Sequence, residues 1–260
     1  MSRSTRIVLA AVLAVAAALA PRPLPASEAP DQLYLVHDML VVPAKAGDVE
    51  AYLKGVTAQM RAQGYPFAVA VYRTLDFHYL SFIPVGSFAD VDALDRAKAE
   101  LRTGMGPAAF DSLVALRDGA LQQHSWFVMR RLADVSYVPE HPRNPPDQEV
   151  FRHWVLMYPV PGKEEAVHAV LAKFRDLYVR TQLPATEIGY EVELGSDLPL
   201  LIGEERARSY FDFYGYLEEG FKVIGEEGSR LWWQETMLLL RKIERRDGVY
   251  RPDLSYVPAQ

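Results

Sequence analysis

A six-residue phrase is written twice in this chain: residues 134–139 read DVSYVP and residues 253–258 read DLSYVP. A long-period repeat constrains a fold strongly, because whatever one copy builds the other must also be able to build. Aligning His37 with His153 lays residues 36–43 onto 152–159, two strand-like apolar runs that each stop at a proline. Val49, Leu53, Val56 and Met60 then recur at spacings of three and four, as do Val167, Val170, Leu171, Phe174 and Leu177, which predicts an amphipathic helix in each copy. A hairpin pattern follows: 67–74 and 77–84 flank Leu75-Asp76, while 186–194 and 198–202 flank Gly195-Ser196-Asp197. Further helical stretches fall near 91–99 and 207–217. A last strand is expected near 126–132 and 232–243, with Trp232 and Trp233 on its two faces. The repeated phrase closes each copy as an extended tail.

The order is β-α-β-β-α-β, twice, which is the split βαβ or ferredoxin-like unit. Such a sheet has helices on one face and leaves the other bare, and a bare apolar face needs a partner. Two units in one chain satisfy that need by packing sheet to sheet. The expected fold is α+β: two tandem ferredoxin-like units forming a pseudo-twofold α+β barrel. The first repeat is expected over 30–140, a Pro-rich linker over 141–148, and the second repeat over 149–260.

In this element order and duplication the chain resembles the dimeric α+β barrel superfamily in a fused tandem form, over about residues 32–258. The resemblance implies a choice among cofactor-free monooxygenases, haem-binding or haem-degrading enzymes and other small-molecule-degrading enzymes. Fold alone does not choose among these.

The N-terminus has its own pattern. Arg3 and Arg6 precede an apolar run from 7 to 20, and small residues follow, as in a secretory signal peptide over 1–29. The run has 14 residues, short of the ~20 that cross a bilayer as a helix. A periplasmic or secreted protein is expected, with no membrane association after cleavage. There is no cysteine, so an exported chain of this kind depends on its core, which about 230 residues suffice to build. Cleavage before Glu28 removes three arginines and no acid, taking the net charge from −6 to −9. That balance argues against a nucleic-acid partner.

Alternation along the strands separates two faces. Leu35, Met39 and Val41 match Phe151, Val155 and Met157 as a helix-covered face, with His37 and His153 near one end. The other face, read as a lumen, collects Asp38, Tyr72, Arg152, Trp154, Tyr158, Glu187 and Glu191. Its aromatic rings suit a flat small organic ligand. A closed core in which Arg152 pairs with Glu187 or Glu191 is the alternative.

No cluster has the spacing of a metal site and no nucleophile motif occurs. Four histidines, His37, His78, His124 and His153, are candidate haem ligands or acid–base groups. His141 belongs to the linker and His168 to a helix surface. Three readings stand: a binder of a small organic molecule, a monooxygenase-like or haem-dependent enzyme using the same cavity, and a non-catalytic scaffold. The oligomeric state and the ligand's identity are not written in the sequence.

Overall fold

The structure, a computed structural model, describes residues 31–259 apart from Ser196. The expected signal peptide lies outside the described residues. Eight strands form a closed antiparallel barrel: β1 (Leu33–Val41), β2 (Ala70–Thr74), β3 (His78–Val85), β4 (Leu121–Tyr137), β5 (Phe151–Pro159), β6 (Glu187–Leu194), β7 (Leu201–Ala207) and β8 (Leu240–Tyr250). Around the barrel they run β1-β3-β2-β8-β5-β7-β6-β4. Residues 33–137 thus contribute the order β4-β1-β3-β2, and residues 151–250 contribute β8-β5-β7-β6.

Helices α1 (Ala46–Gln63), α2 (Ala89–Met105) and α3 (Pro107–Ala120) cover the outside of the first four strands. The apolar stripe of α1 buries Val49, Leu53 and Val56, with Leu94, Leu101 and Phe110 from α2 and α3, against Met39, Val41, Tyr79 and Ile83. A left-handed Gly64 (φ 61°) ends α1, a conformation that costs glycine little. Helices α4 (Glu164–Thr181) and α5 (Tyr210–Arg230) lie outside the second four strands. The α4 stripe is buried much as that of α1 is, with Val167, Val170, Phe174 and Leu177 inside. By contrast, α5 buries only Phe213 and Gly228 and departs from helical geometry at Gly225.

The expected last strand at 232–243 begins later than the pattern suggests. Residues 231–236 form a π-helical turn, so Trp232 and Trp233 are not on a sheet at all. Trp232 packs partly buried beneath the second helix layer, and Trp233 is exposed. Their β-favouring side chains are overridden by the turn that carries the chain from α5 into β8.

The repeated phrase has a structural meaning. Ser136 Oγ donates to the Leu132 carbonyl and accepts from the Gly189 amide at 3.0 Å. Ser255 Oγ donates to the Arg251 carbonyl at 2.7 Å and accepts from the Val71 amide at 2.9 Å. Each serine therefore bonds four residues back in its own tail and across to the second strand of the other half. The tyrosines that follow pair the same way, Tyr137 with Glu187 and Tyr256 with Val69.

Candidate functional site

The barrel interior is filled. Tyr34, Val36, Tyr72, Leu80, Phe82, Met129, Trp154, Tyr158, Tyr190 and Ile202 form one cluster inside it, leaving a void of about 30 Å³, room for a water molecule or two. Phe82 stacks on Trp154 at 5.8 Å. Gly248 makes space for that indole, since a Cβ there would lie 2.5 Å from the ring. Five of the residues read as luminal are on this inner face: Asp38, Tyr72, Arg152, Trp154 and Tyr158. They pack a core and do not border a ligand-sized space.

Charge inside the barrel is paired. Arg152 Nε lies 3.3 Å from Glu204, which also accepts from Arg206 (2.7 Å) and from the Trp154 indole (2.9 Å). Burial alone pushes Glu204 up, but the Arg206 and Arg152 guanidiniums outweigh it and hold its carboxyl below the usual range. At the other end Asp38 accepts from Arg246 (2.7 Å) and sits 2.6 Å from His78 Nδ1. The partner expected for Arg152 was Glu187 or Glu191, and neither is in the lumen. Ile188, Tyr190 and Val192 are the inward residues of β6, so Glu187 and Glu191 point outward. A one-residue slip in register moves every side chain of a strand to the opposite face.

A larger space than this void lies outside the barrel, between the second half's sheet and helices α4 and α5. It measures about 320 Å³ and is bordered by Met157, Phe174, Phe213, Ile224 and Trp232 among apolar groups, a size and character typical of small-molecule sites. Its floor is one rung of the sheet. Asp247 on β8 faces His153 on β5, His153 faces Glu205 on β7, and Glu205 faces Glu187 on β6. Directly opposed residues have Cβ atoms about 5 Å apart, so four titratable side chains stand in a row. His153, Glu205 and Glu187 border the cavity.

Each member has a distinct electrostatic state. His153 Nδ1 lies 2.7 Å from Asp247 Oδ1, and the Tyr214 hydroxyl donates to the other carboxylate oxygen at 2.9 Å. Burial lowers the His153 pKa against the opposing pull of Asp247, so the ring is neutral at pH 7. With Nδ1–H donating to Asp247, Nε2 is the proton acceptor. Burial and the facing Glu205 raise Glu187 well above the usual carboxyl range, and burial pushes Glu205 up to about 7. The two carboxyls are hydrogen-bonded to each other, which requires a proton on one of them.

No family model and no curated protein matches the sequence. Solved structures do match. An anthrone oxidase-like protein superposes with a TM-score of 0.56 over 88% of this chain and 94% of its own, at 14% identity. A candidate monooxygenase of Lactobacillus acidophilus gives a TM-score of 0.50 over 87% and 96%, at 7% identity. Another from Fusobacterium nucleatum gives 0.50 over 86% and 94%, at 8% identity. This is the dimeric α+β barrel fold.

Within this dimeric α+β barrel the corresponding rung of the first half reads Trp126, His37, Ser81, Val71. His37 is stacked flat on the Trp126 ring at 3.9 Å, and burial, with Arg117 and His124 nearby, lowers its pKa to about 3. It packs, where His153 pairs with an acid. Of the four histidines read as haem or acid–base candidates, His153 borders the cavity, His78 belongs to the Asp38 pair and His124 is exposed. Among the described residues no group of three or more His, Asp or Glu is arranged to hold a metal ion.

The sequence reading missed Glu205, Asp247 and Tyr214. One signal was present: the strand segment Gly203-Glu204-Glu205-Arg206 places consecutive acids on opposite faces. One of them has inward arginines to pair with, and the other meets Glu187.

Proposed function

We propose that the dimeric α+β barrel binds a flat, largely apolar organic molecule between β5–β7–β6 and helices α4 and α5, and that His153 takes a proton from it. The observation that carries this reading is the His153–Asp247 pair at the floor of an apolar cavity. A neutral imidazole whose tautomer is fixed by a carboxylate is a general base at neutral pH. The rings of Phe174, Phe213 and Trp232 suit a planar ligand. The likeness to an anthrone oxidase-like protein supports the choice of substrate class. Anthrone itself is therefore a suitable probe. Quenching of tryptophan fluorescence reports its binding, and Leu171→Trp, which fills the cavity, is expected to weaken binding at least tenfold. Unchanged binding in that variant contradicts the location.

A haem-dependent enzyme is the second reading, favoured by the same pair. His153 is the residue that would hold a haem iron, Asp247 at 2.7 Å from its Nδ1 would orient the ring, and the iron would supply redox chemistry. A Soret band in the purified protein decides for it.

The two halves are proposed to derive from one duplicated ferredoxin-like unit, 30–140 and 149–260, joined by 141–148. The matched strand orders and the matched bonds of Ser136 and Ser255 support this. Export to the periplasm or medium, with residues 1–29 as the signal, is proposed on the N-terminal pattern alone.

A further inference from the structure

The cavity reading leaves Glu187 and Glu205 unused. They are not a surface acid cluster. They face each other across β6 and β7, share a hydrogen bond, and line the same space as His153. Charged and titratable groups from neighbouring elements also border that space: Arg143 from the linker, Arg206 from β7, where it also pairs with Glu204, Arg245 from β8, Tyr178 from α4, and Tyr214 and Tyr216 from α5. Arg143 is already engaged, donating to Asp212 at 2.9 Å and lying 4.3 Å over the Tyr216 ring. The Tyr216 hydroxyl is buried at the cavity wall without a hydrogen-bond partner, although buried hydroxyls ordinarily find one. An apolar pocket holding an unpartnered donor, a carboxyl pair and a base is short of a ligand oxygen.

Resting on the cavity reading above, we infer that Glu187 and Glu205 act as a one-proton acid that serves the oxygen of a carbonyl ligand while His153 takes a proton from a carbon conjugated with that carbonyl. The substrate class is then an enolisable ketone. The cross-strand spacing of about 5 Å between Glu205 and His153 positions suits an acid and a base acting on neighbouring parts of one small molecule. In the step, the C–H bond breaks and its proton goes to His153 Nε2. The released electron pair forms the enol double bond, and the carbonyl π pair moves onto oxygen. That oxygen takes the proton held by the carboxyl pair. Keto form becomes enol with no oxidant and no atom lost. A proton passing from His153 to Glu205, its neighbour on the rung, restores the resting protein. Two titratable sites pushed apart by their surroundings are the usual mark of paired acid and base roles.

The test uses the full mature chain, anthrone, and buffer in D2O without oxygen, following loss of the methylene proton signal by NMR. Wild-type protein is expected to speed exchange, with a rate that falls at high pH as the carboxyl pair loses its proton. The Glu187→Gln/Glu205→Gln double variant is expected to bind anthrone within threefold of wild type, by fluorescence quenching, yet exchange at least ~100-fold more slowly, the lower end of what a positioned acid contributes. Its remaining rate should lack the high-pH decline. Glu205→Asp, which retains a shared proton, should keep that decline at a reduced rate, and serves if the double variant does not fold. A double variant with wild-type exchange and the same decline overturns the inference. So does wild-type protein that binds anthrone without exchanging it, which leaves the binding cavity standing. Wild-type protein that binds no anthrone overturns the cavity reading, and this inference with it.

Discussion

His37 and His153 occupy matching places on β1 and β5, yet one lies flat on Trp126 at 3.9 Å and the other is held 2.7 Å from Asp247. The residue that faces each histidine from the neighbouring last strand decides its role. Burial lowers both pKa values, to about 3 for His37. Only His153 has a carboxylate to fix its tautomer.

This difference makes His37 dispensable to the site. Its Nε2 is buried without a partner, a condition that costs about 1–3 kcal/mol. His37→Phe keeps the stacked ring and removes that atom. It is expected to be as stable as wild type within about 1 kcal/mol, or more stable, with anthrone binding unchanged. Urea unfolding and fluorescence titration measure the two.

Glu204 lies between Arg152 and Arg206 inside the barrel. Replacing it with Gln removes the carboxylate that both buried guanidiniums contact, which should cost about 3 kcal/mol or more. Arg152→Met leaves Glu204 still paired with Arg206 and held by Trp154, so its cost should be smaller. Neither variant should alter binding in the outer cavity. The order of the denaturation midpoints checks the claim.

How much of this was legible in the sequence follows from what each strand faces. On β1 and β5 the apolar residues lie under well-packed helices, so alternation assigns both faces correctly, and Arg152, Trp154 and Tyr158 were placed inward as observed. On β6 the pattern Glu187-Ile188-Gly189-Tyr190-Glu191 puts polar residues on the helix side, because that side borders a cavity and the weakly buried α5. Polar residues there look like a luminal or solvent face. Asp247 was hidden for a related reason. Its strand was expected to end before it, and its role depends on pairing with β5, a contact 94 residues away.

The two tails should be energetically alike. Ser136→Ala leaves the Gly189 amide unpartnered and Ser255→Ala does the same to Val71, so each is expected to cost about 1–2 kcal/mol. Similar losses by chemical denaturation support tails that cross between halves. A loss at only one serine contradicts that equivalence.

The carboxyl pair also predicts how stability depends on pH. Glu205 has an ordinary pKa near 4.5 when unfolded and about 7 when folded. The folded state therefore holds a proton that the unfolded state releases first. The contribution is fully present below about 4.5 and is lost as pH rises through about 7. The excess stability of wild type at pH 5 over pH 8 should shrink in the Glu187→Gln/Glu205→Gln variant. Urea unfolding of both proteins at both values isolates this from the other titrating groups.

A working site outside the barrel, above the Asp247–His153–Glu205–Glu187 rung, requires a bound ligand to sit there, and a crystal structure with ligand locates it directly. Crystals of the protein soaked with anthrone are expected to show density against His153, Phe174 and Trp232, between the sheet and α4 and α5. Density inside the barrel, among Trp154, Phe82 and Tyr190, would contradict a site on the outer side of the sheet.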